Sequence, residues 1–255
     1  MIDFTGKVVL VTGGSRGIGA ETVRAVVAAG GQAVIHYGSN DTAAEALASD
    51  VGTFNTLCLR ADLNAPEAAS TLWRDSLAWQ GKVDVLVNNA GIFMPEKIDG
   101  PAEAWNGVWQ QTLQVNLISA AALCREAINT WRKAGTGGAI VNVASRASFR
   151  GDGPEYWSYA ASKGGMISLT KTLARAYSAE GIYTYAVAPG FVNTDMAVEA
   201  FEYDPALRER VVREIPIGDI APPQEIANAI CFLASGLATH ATGQTIDLNG
   251  ASYVR

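Results

Sequence analysis

The pattern that most restricts this chain is an alternation. Seven short apolar runs lie at 7–11, 33–37, 55–60, 83–87, 139–144, 183–188 and 245–248. Stretches of helical character separate them at 18–29, 42–50, 66–79, 102–133, 159–179, 204–214 and 224–234. The runs are too uniformly apolar for strands with one wet face, and they suit strands covered on both sides. A strand, a helix and a further strand in succession make a parallel pair through a right-handed crossover. Repeated along the whole chain, this predicts an α/β fold with a doubly wound, seven-stranded parallel sheet flanked by helices on both faces. No repeat, low-complexity tract or linker interrupts it, so residues 1–255 read as a single domain. One stretch breaks the rhythm. Residues 190–223 follow the sixth run and hold Phe191, Met196, Phe201, Tyr203, Pro205, Pro216, Pro222 and Pro223. An insertion beyond the C-terminal end of a strand is where a substrate-binding loop or lid belongs.

The first run leads into Thr12-Gly13-Gly14-Ser15-Arg16-Gly17-Ile18-Gly19 and then a helix. Glycines let a ligand approach the backbone, and the helix N-terminus offers free N–H donors and a partial positive charge. The spacing is T-G-x-x-x-G-x-G rather than G-x-G-x-x-G, but its place in the first βαβ unit predicts a phosphate-binding turn. With a doubly wound sheet, that makes a Rossmann-type dinucleotide site the expectation.

Further along, Tyr159 and Lys163 stand four apart in a helical stretch, so both project from one face. A phenol has a free pKa of about 10. A neighbouring ammonium stabilises the phenolate and lowers that value, so the pair suits general acid–base work. Ser145 ends the fifth strand, where open α/β sheets place their sites, and Ser148 competes with it for a serine role. The two histidines, His36 and His240, are far apart in sequence and lack ligand spacing, which excludes a histidine metal site. Cys58, Cys124 and Cys231 have no metal-like spacing and read as thiols of a reducing cytosol. The start of the chain lacks a secretory signal pattern, and no apolar run approaches a membrane span. The expected location is cytoplasmic. A net charge of −6 without any basic run argues against nucleic acid and anionic membranes as partners.

Taken together, these residues resemble the short-chain dehydrogenase/reductase family, and its carbonyl-reductase branch in particular. Thr12-Gly13…Gly17-x-Gly19 resembles its cofactor motif, Asn88-Asn89-Ala90-Gly91 its N-N-A-G motif, and Asn116 its helix asparagine. Ser145, Tyr159-x-x-x-Lys163, and Pro189-Gly190 with Thr194 match its catalytic serine, its catalytic pair and the segment over the nicotinamide. The likeness runs nearly end to end, through Gly243-Gln244 and Asn249-Gly250. It implies hydride transfer between a nicotinamide cofactor and a carbonyl or alcohol carbon. Tyr159 would exchange a proton with the substrate oxygen, and Lys163 would lower its pKa and hold the nicotinamide ribose. Ser145 would position the substrate oxygen, and Asn116 would hold a water linking Lys163 to solvent. Cofactor contacts are implied at Gly13, Ser15, Arg16, Gly17, Ile18, Gly19, Tyr37, Ser39, Asn40, Leu63, Asn89, Ala90, Gly91, Tyr159, Lys163, Pro189, Gly190, Val192 and Thr194. Asp62 resembles the family's adenine-contacting acid or caps its loop, and Asn88 ties strands together. The relatives also imply a homotetramer or dimer, paired through the helices before and after Ser145. Gly164 and Gly165 then read as sites of close helix packing.

The second strand bears on the cofactor. An acid at its end grips a ribose 2′-hydroxyl and repels a 2′-phosphate. Tyr37 stands there instead, and no carboxylate follows until Asp41. Arg16 is placed as in NADP-using relatives, with Ser39 and Asn40 as neutral donors, so NADP(H) is favoured over NAD(H). The expected pocket (Phe93, Met94, Arg146, Ser148, Tyr156, Trp157, Phe191, Met196) is aromatic and apolar with one cation, which suits a ketone or secondary alcohol. The alternatives are a 3-oxoacyl-carrier-protein reductase or a sugar dehydrogenase. Glu180, standing where carrier-protein reductases present basic residues, counts against the first. A non-catalytic NADP-binding regulator, or another reaction on the same fold, would have lost the tyrosine–lysine pair or the glycine turn. Neither is lost. Tryptophans 73, 79, 105, 109 and 131 are read as core or interface anchors.

Overall fold

A computed structural model describes residues 1–203 and 205–255, with side chains for all of these except Met196, Glu199, Ala200, Tyr203 and Pro205. Seven strands form one sheet: β1 Val8–Val11, β2 Gln32–Tyr37, β3 Thr56–Arg60, β4 Val85–Asn88, β5 Gly138–Val143, β6 Ile182–Pro189 and β7 Thr245–Leu248. Their order is β3-β2-β1-β4-β5-β6-β7, and every neighbouring pair is parallel. The chain winds outward from β1 to β3, then returns to place β4 on the other side of β1. The crossovers therefore diverge at the C-terminal ends of β1 and β4, which opens a crevice there.

Among the described residues, ten α-helices connect the strands: α1 Gly17–Ala28, α2 Asp41–Val51, α3 Ala68–Gln80, α4 Ala102–Leu113, α5 Ser119–Ala134, α6 Ala147–Arg150, α7 Trp157–Tyr177, α8 Asp195–Tyr203, α9 Pro205–Arg213 and α10 Pro223–Ala234. Alternate strand residues face opposite layers. Val9, Val11, Ile35, Val87, Val141 and Val187 pack with Val23 and Val26 of α1 and with Ile226 and Ile230 of α10. Val8, Leu10, Val34, Leu86, Ile140 and Ile182 pack with Leu72 and Trp73 of α3 and with Leu123, Ile128 and Trp131 of α5. Trp73 and Trp131 meet edge to face at 6.0 Å, and the Trp131 indole N–H donates to the Val83 carbonyl at 2.7 Å. Both are core anchors, as expected. Among the described residues, no helix is long and apolar enough to cross a membrane.

All seven expected strands form, with ends shifted by no more than two residues. Three features differ from expectation. The run expected as one helix at 102–133 is broken by a π-helical turn, Gln114–Ile118, between α4 and α5. The stretch at 190–223 holds, besides the helix expected at 204–214 (α9), an unexpected helix α8, and is closed at its base by a Val192–Ala221 bridge. It has a small core of its own, in which Val211, Ile215 and Ile220 pack with Phe191 and Phe201. Asp204, the expected first residue of the helix at 204–214, lies outside the described residues. The third feature is α6, one short helical turn directly after Ser145. Gly165 is a site of close packing, because a Cβ there would lie 2.7 Å from the Leu117 side chain. Gly164 is not, since its nearest neighbour would be an ordinary 3.7 Å away.

Candidate active site

The crevice is a cleft of about 590 Å³. Every expected catalytic and cofactor-contact residue lines it except Gly19 and Asn116; of the expected substrate pocket, Phe93, Arg146 and Phe191 line it, whereas Met94, Ser148, Tyr156 and Trp157 do not. Met196, expected on the wall, lies outside the described side chains.

Two βα turns are tied together at the floor. The Asn89 amide donates to the Thr12 and Gly13 carbonyls at 2.9 and 3.0 Å, while the Thr12 hydroxyl accepts from the N–H groups of Asn89 and Ala90. Gly19 must lack a side chain, since a Cβ there would fall 2.1 Å from the Gly13 carbonyl oxygen. The Gly13 and Gly14 N–H groups are already used: the first donates to Nδ1 of His36, the second to the His36 carbonyl. The donors that can meet a phosphate therefore begin at Ser15 and continue through the first turn of α1, whose N-cap residue, Arg16, makes no side-chain cap. From the opposite wall, the Thr194 side chain lies against Gly17.

At the end of β2, the Tyr37 hydroxyl donates to Asp41 at 3.0 Å, and Arg60 lies 3.5 Å from the same carboxylate. Asp41 is thus engaged by neighbours. Asn40 caps α2 by accepting from the Ala43 N–H, and Asp62 caps its own loop by accepting from the Asn64 N–H while still lining the cleft. The loop-cap reading of Asp62 is the one this hydrogen bond supports. Arg16 is exposed and forms no ion pair among the described residues.

The reactive end is assembled by β5, α6 and α7. The Ser145 Oγ accepts from the Ala147 N–H at 3.1 Å, which fixes the hydroxyl at the mouth of the cleft. Ser148 lies beyond it on α6, and its hydroxyl is buried without a partner among the described residues. Lys163 Nζ donates to the Val143 carbonyl at 2.8 Å and sits 5.8 Å from the Tyr159 ring centre. Phe93 meets Tyr159 edge-on at 4.8 Å and stacks on Tyr156 at 3.9 Å. This aromatic cover changes the electrostatics. Burial pushes the Tyr159 phenol up to about 12, with the facing Ser145 hydroxyl acting weakly the other way. Burial also brings Lys163 down to about 8. The lowering of the phenol expected from sequence is absent, because desolvation outweighs a cation held on a backbone carbonyl.

Behind this pair, the π turn aims Asn116 inward. Its oxygen accepts from the Ile92 N–H at 2.8 Å, and its amide donates to the Ile92 carbonyl and the Ser162 hydroxyl. A π turn commonly marks a site where one side chain must be redirected. Asn88 donates to Asn142, which donates to Thr170 on α7, so the expected tie between strands extends to the helix. Sequence reasoning missed Glu96. This buried carboxylate accepts from both the N–H and the hydroxyl of Ser158, at 2.7 and 2.6 Å, and so caps α7 beside Tyr159. No local motif signals it, because the partner is 62 residues away.

Among the described residues, no cluster of His, Cys, Asp and Glu could hold a metal. Glu180 is paired with Arg132 at 2.8 Å, so its charge is offset and its repulsion of an acidic partner is weaker than the sequence suggested.

Comparison with known proteins agrees with this geometry. A family model described as Enoyl-(Acyl carrier protein) reductase matches residues 13–250. The chain is 35% identical over 254 residues to a 3-oxoacyl-(acyl-carrier-protein) reductase of Escherichia coli, covering 99% of this chain and 100% of that one. It is 35% identical over 250 residues to 3beta-hydroxysteroid dehydrogenase 1 of Eggerthella lenta, covering 97% and 94%. A 3-oxoacyl-(acyl-carrier-protein) reductase of Synechocystis is 33% identical over 258 residues, covering 98% of each.

Proposed function

The chain belongs to the short-chain dehydrogenase/reductase family, and from that premise we propose that it is an oxidoreductase linking NADP(H) to a ketone or secondary alcohol. The observation that carries this reading is the shared cleft: the phosphate-binding turn and the Ser145–Tyr159–Lys163 group line one continuous space. The residues fit a dinucleotide. Unused N–H groups at the start of α1 suit its phosphates, exposed Arg16 suits a 2′-phosphate, and Lys163 and the 190–194 segment stand at the reactive end.

When bound, the cofactor supplies or takes the hydride. The chain's own residues handle the proton. The Tyr159 phenol is fully protonated at neutral pH, so it serves as donor to a substrate oxygen during reduction. The Ser145 hydroxyl donates a hydrogen bond to the same oxygen and sets its distance. The Lys163 ammonium then stabilises the phenolate left behind, and a water accepted by the second lone pair of Asn116 returns the proton. Phe93, Tyr156 and Phe191 exclude solvent, which strengthens each of these interactions.

The free thiols Cys58, Cys124 and Cys231 suit a cytoplasmic enzyme. A homotetramer is the assembly we infer, since half-exposed Trp157 and exposed Ile118 offer apolar surface on α7 and the π turn. A stand-alone ketone reductase is our first reading. The offset charge of Glu180 and the names of two relatives favour a carrier-protein reductase as the second. Consumption of NADPH with simple ketones, steroid ketones, sugars, and free or carrier-bound 3-oxoacyl thioesters separates them. Tyr159→Phe should lose activity by about a hundredfold or more on any substrate accepted. Tight cofactor binding with no turnover across the panel would favour a cofactor-binding regulator instead.

A further inference from the structure

His36 is buried on β2, and both of its ring nitrogens are committed. Nδ1 accepts from the Gly13 N–H at 3.1 Å, and Nε2 lies 3.1 Å from the Ala61 carbonyl. A carbonyl can only accept, so Nε2 carries the proton and the ring is the neutral Nε2–H tautomer. The imidazole therefore bridges the turn after β1 and the segment after β3, both of which line the cleft. It holds the N–H of the Thr12–Gly13 peptide group, and Asn89 donates to the carbonyl of the same group.

We propose that His36 is a positioning residue that sets the phosphate-binding turn through its neutral tautomer, so that dinucleotide binding requires an unprotonated imidazole. The inference rests on the dinucleotide reading above. Protonation would place a second N–H against the Gly13 N–H, with no lone pair between them. The turn must then move, and with it the donors from Ser15 to Gly19. Burial opposes protonation and lowers the pKa of His36 below 6.5, while the Ala61 carbonyl acts weakly the other way. The surrounding charged groups are Arg16 on the turn, Asp41 after β2, and Arg60 and Asp62 on the β3 side. On α3, which covers this face of the sheet, Arg74 and Asp75 pair with each other. None forms an ion pair with the imidazole among the described residues, so the ring titrates under backbone control.

The test is the dissociation constant of NADH and of NADPH, by fluorescence titration, from about pH 8 to about pH 5. NADH lacks the 2′-phosphate, whose own proton would otherwise mimic the effect. For the native protein, both cofactors should weaken toward the acid end of this range, as the imidazole takes a proton below the ordinary histidine value. His36→Leu should weaken both on the order of tenfold at pH 8 and abolish the pH dependence for NADH. His36→Asn keeps an acceptor at the Nδ1 position and cannot titrate. It should recover most of the affinity at pH 8 and stay flat. If His36→Leu does not fold, the Asn variant and the native NADH profile still decide the matter. An NADH profile that is flat in the native protein, or unchanged in His36→Asn, overturns the proposal. Absence of dinucleotide binding by the native protein at pH 8 would instead overturn the functional reading beneath it.

Discussion

At the scale of single residues, the site depends on a cation kept where a cation is costly. Lys163 is buried, and its folded-state pKa of about 8 lies below the ordinary 10.5. A depressed value means that the native state loses stability as the pH falls through about 8, and carries no such cost above about 10.5. At pH 7 the cost is on the order of 3 kcal/mol. The hydrogen bond to the Val143 carbonyl returns about 1 kcal/mol of that. Lys163→Met should therefore raise stability near neutral pH by roughly 1–2 kcal/mol, and should fall slightly below the native protein near pH 11. Urea unfolding at the two pH values measures both, and a variant less stable at both would refute the account. Activity should drop by about a hundredfold or more in the same variant. That Tyr159, Lys163 and Ser145 would meet at one cleft was legible from the resemblance together with their spacing. The direction of the Tyr159 shift was not, because the ring that buries it, Phe93, comes from a distant loop. His36 was illegible for the same reason: its partners, Gly13 and Ala61, are neighbours only through the sheet.

At the scale of elements, α7 carries Tyr159 and Lys163, and its N-terminus is set from outside. A free helix N-terminus favours a negative charge by about 0.3–1 kcal/mol and gains about 1 kcal/mol from a side-chain cap. Glu96 supplies both, and its own N–H donates to the Glu155 carbonyl just before the helix. Glu96→Ala should cost about 1–3 kcal/mol and leave the Ser158 N–H buried without a partner. Because Tyr159 is the next residue, the cost should appear in kcat more than in KM, severalfold at least. Glu96→Gln retains one acceptor and adds a donor, so it should recover part of both losses. Equal kcat in the native and Ala proteins, with only the melting point changed, would reduce Glu96 to a structural cap. The existence of α7 was readable from its period, as were the other long helices. The π turn was not, since its cause is the fit of Asn116 and Leu117 against Ile92, Ser162 and Gly165. Nor were α8 and α6, which are short and are held by local packing around Phe191 and by the Ser145 hydroxyl.

At the scale of the whole molecule, alternation implied a parallel sheet of seven strands, but nothing local states that β4 returns beside β1. That reversal creates the cleft, and it makes cofactor binding a property of the entire fold. The walls come from the ends of β1, β2, β3, β4, β5 and β6, so a ligand filling the cleft stabilises all of them against unfolding together. At a hundred times its dissociation constant, a ligand adds about 2.7 kcal/mol. For a chain of this size, that is a rise in melting temperature of about 5–10 °C. NADPH should produce this shift at concentrations where NADH gives much less, because Arg16 is free to meet a 2′-phosphate and Asp41 is held by Tyr37 and Arg60. Arg16→Ala should remove most of the NADPH advantage and leave the NADH shift nearly unchanged. Scanning calorimetry of the two proteins with each cofactor makes the comparison. Equal losses for both cofactors would mean that Arg16 supports the turn itself rather than the phosphate, and the preference for NADP(H) would have no residue behind it.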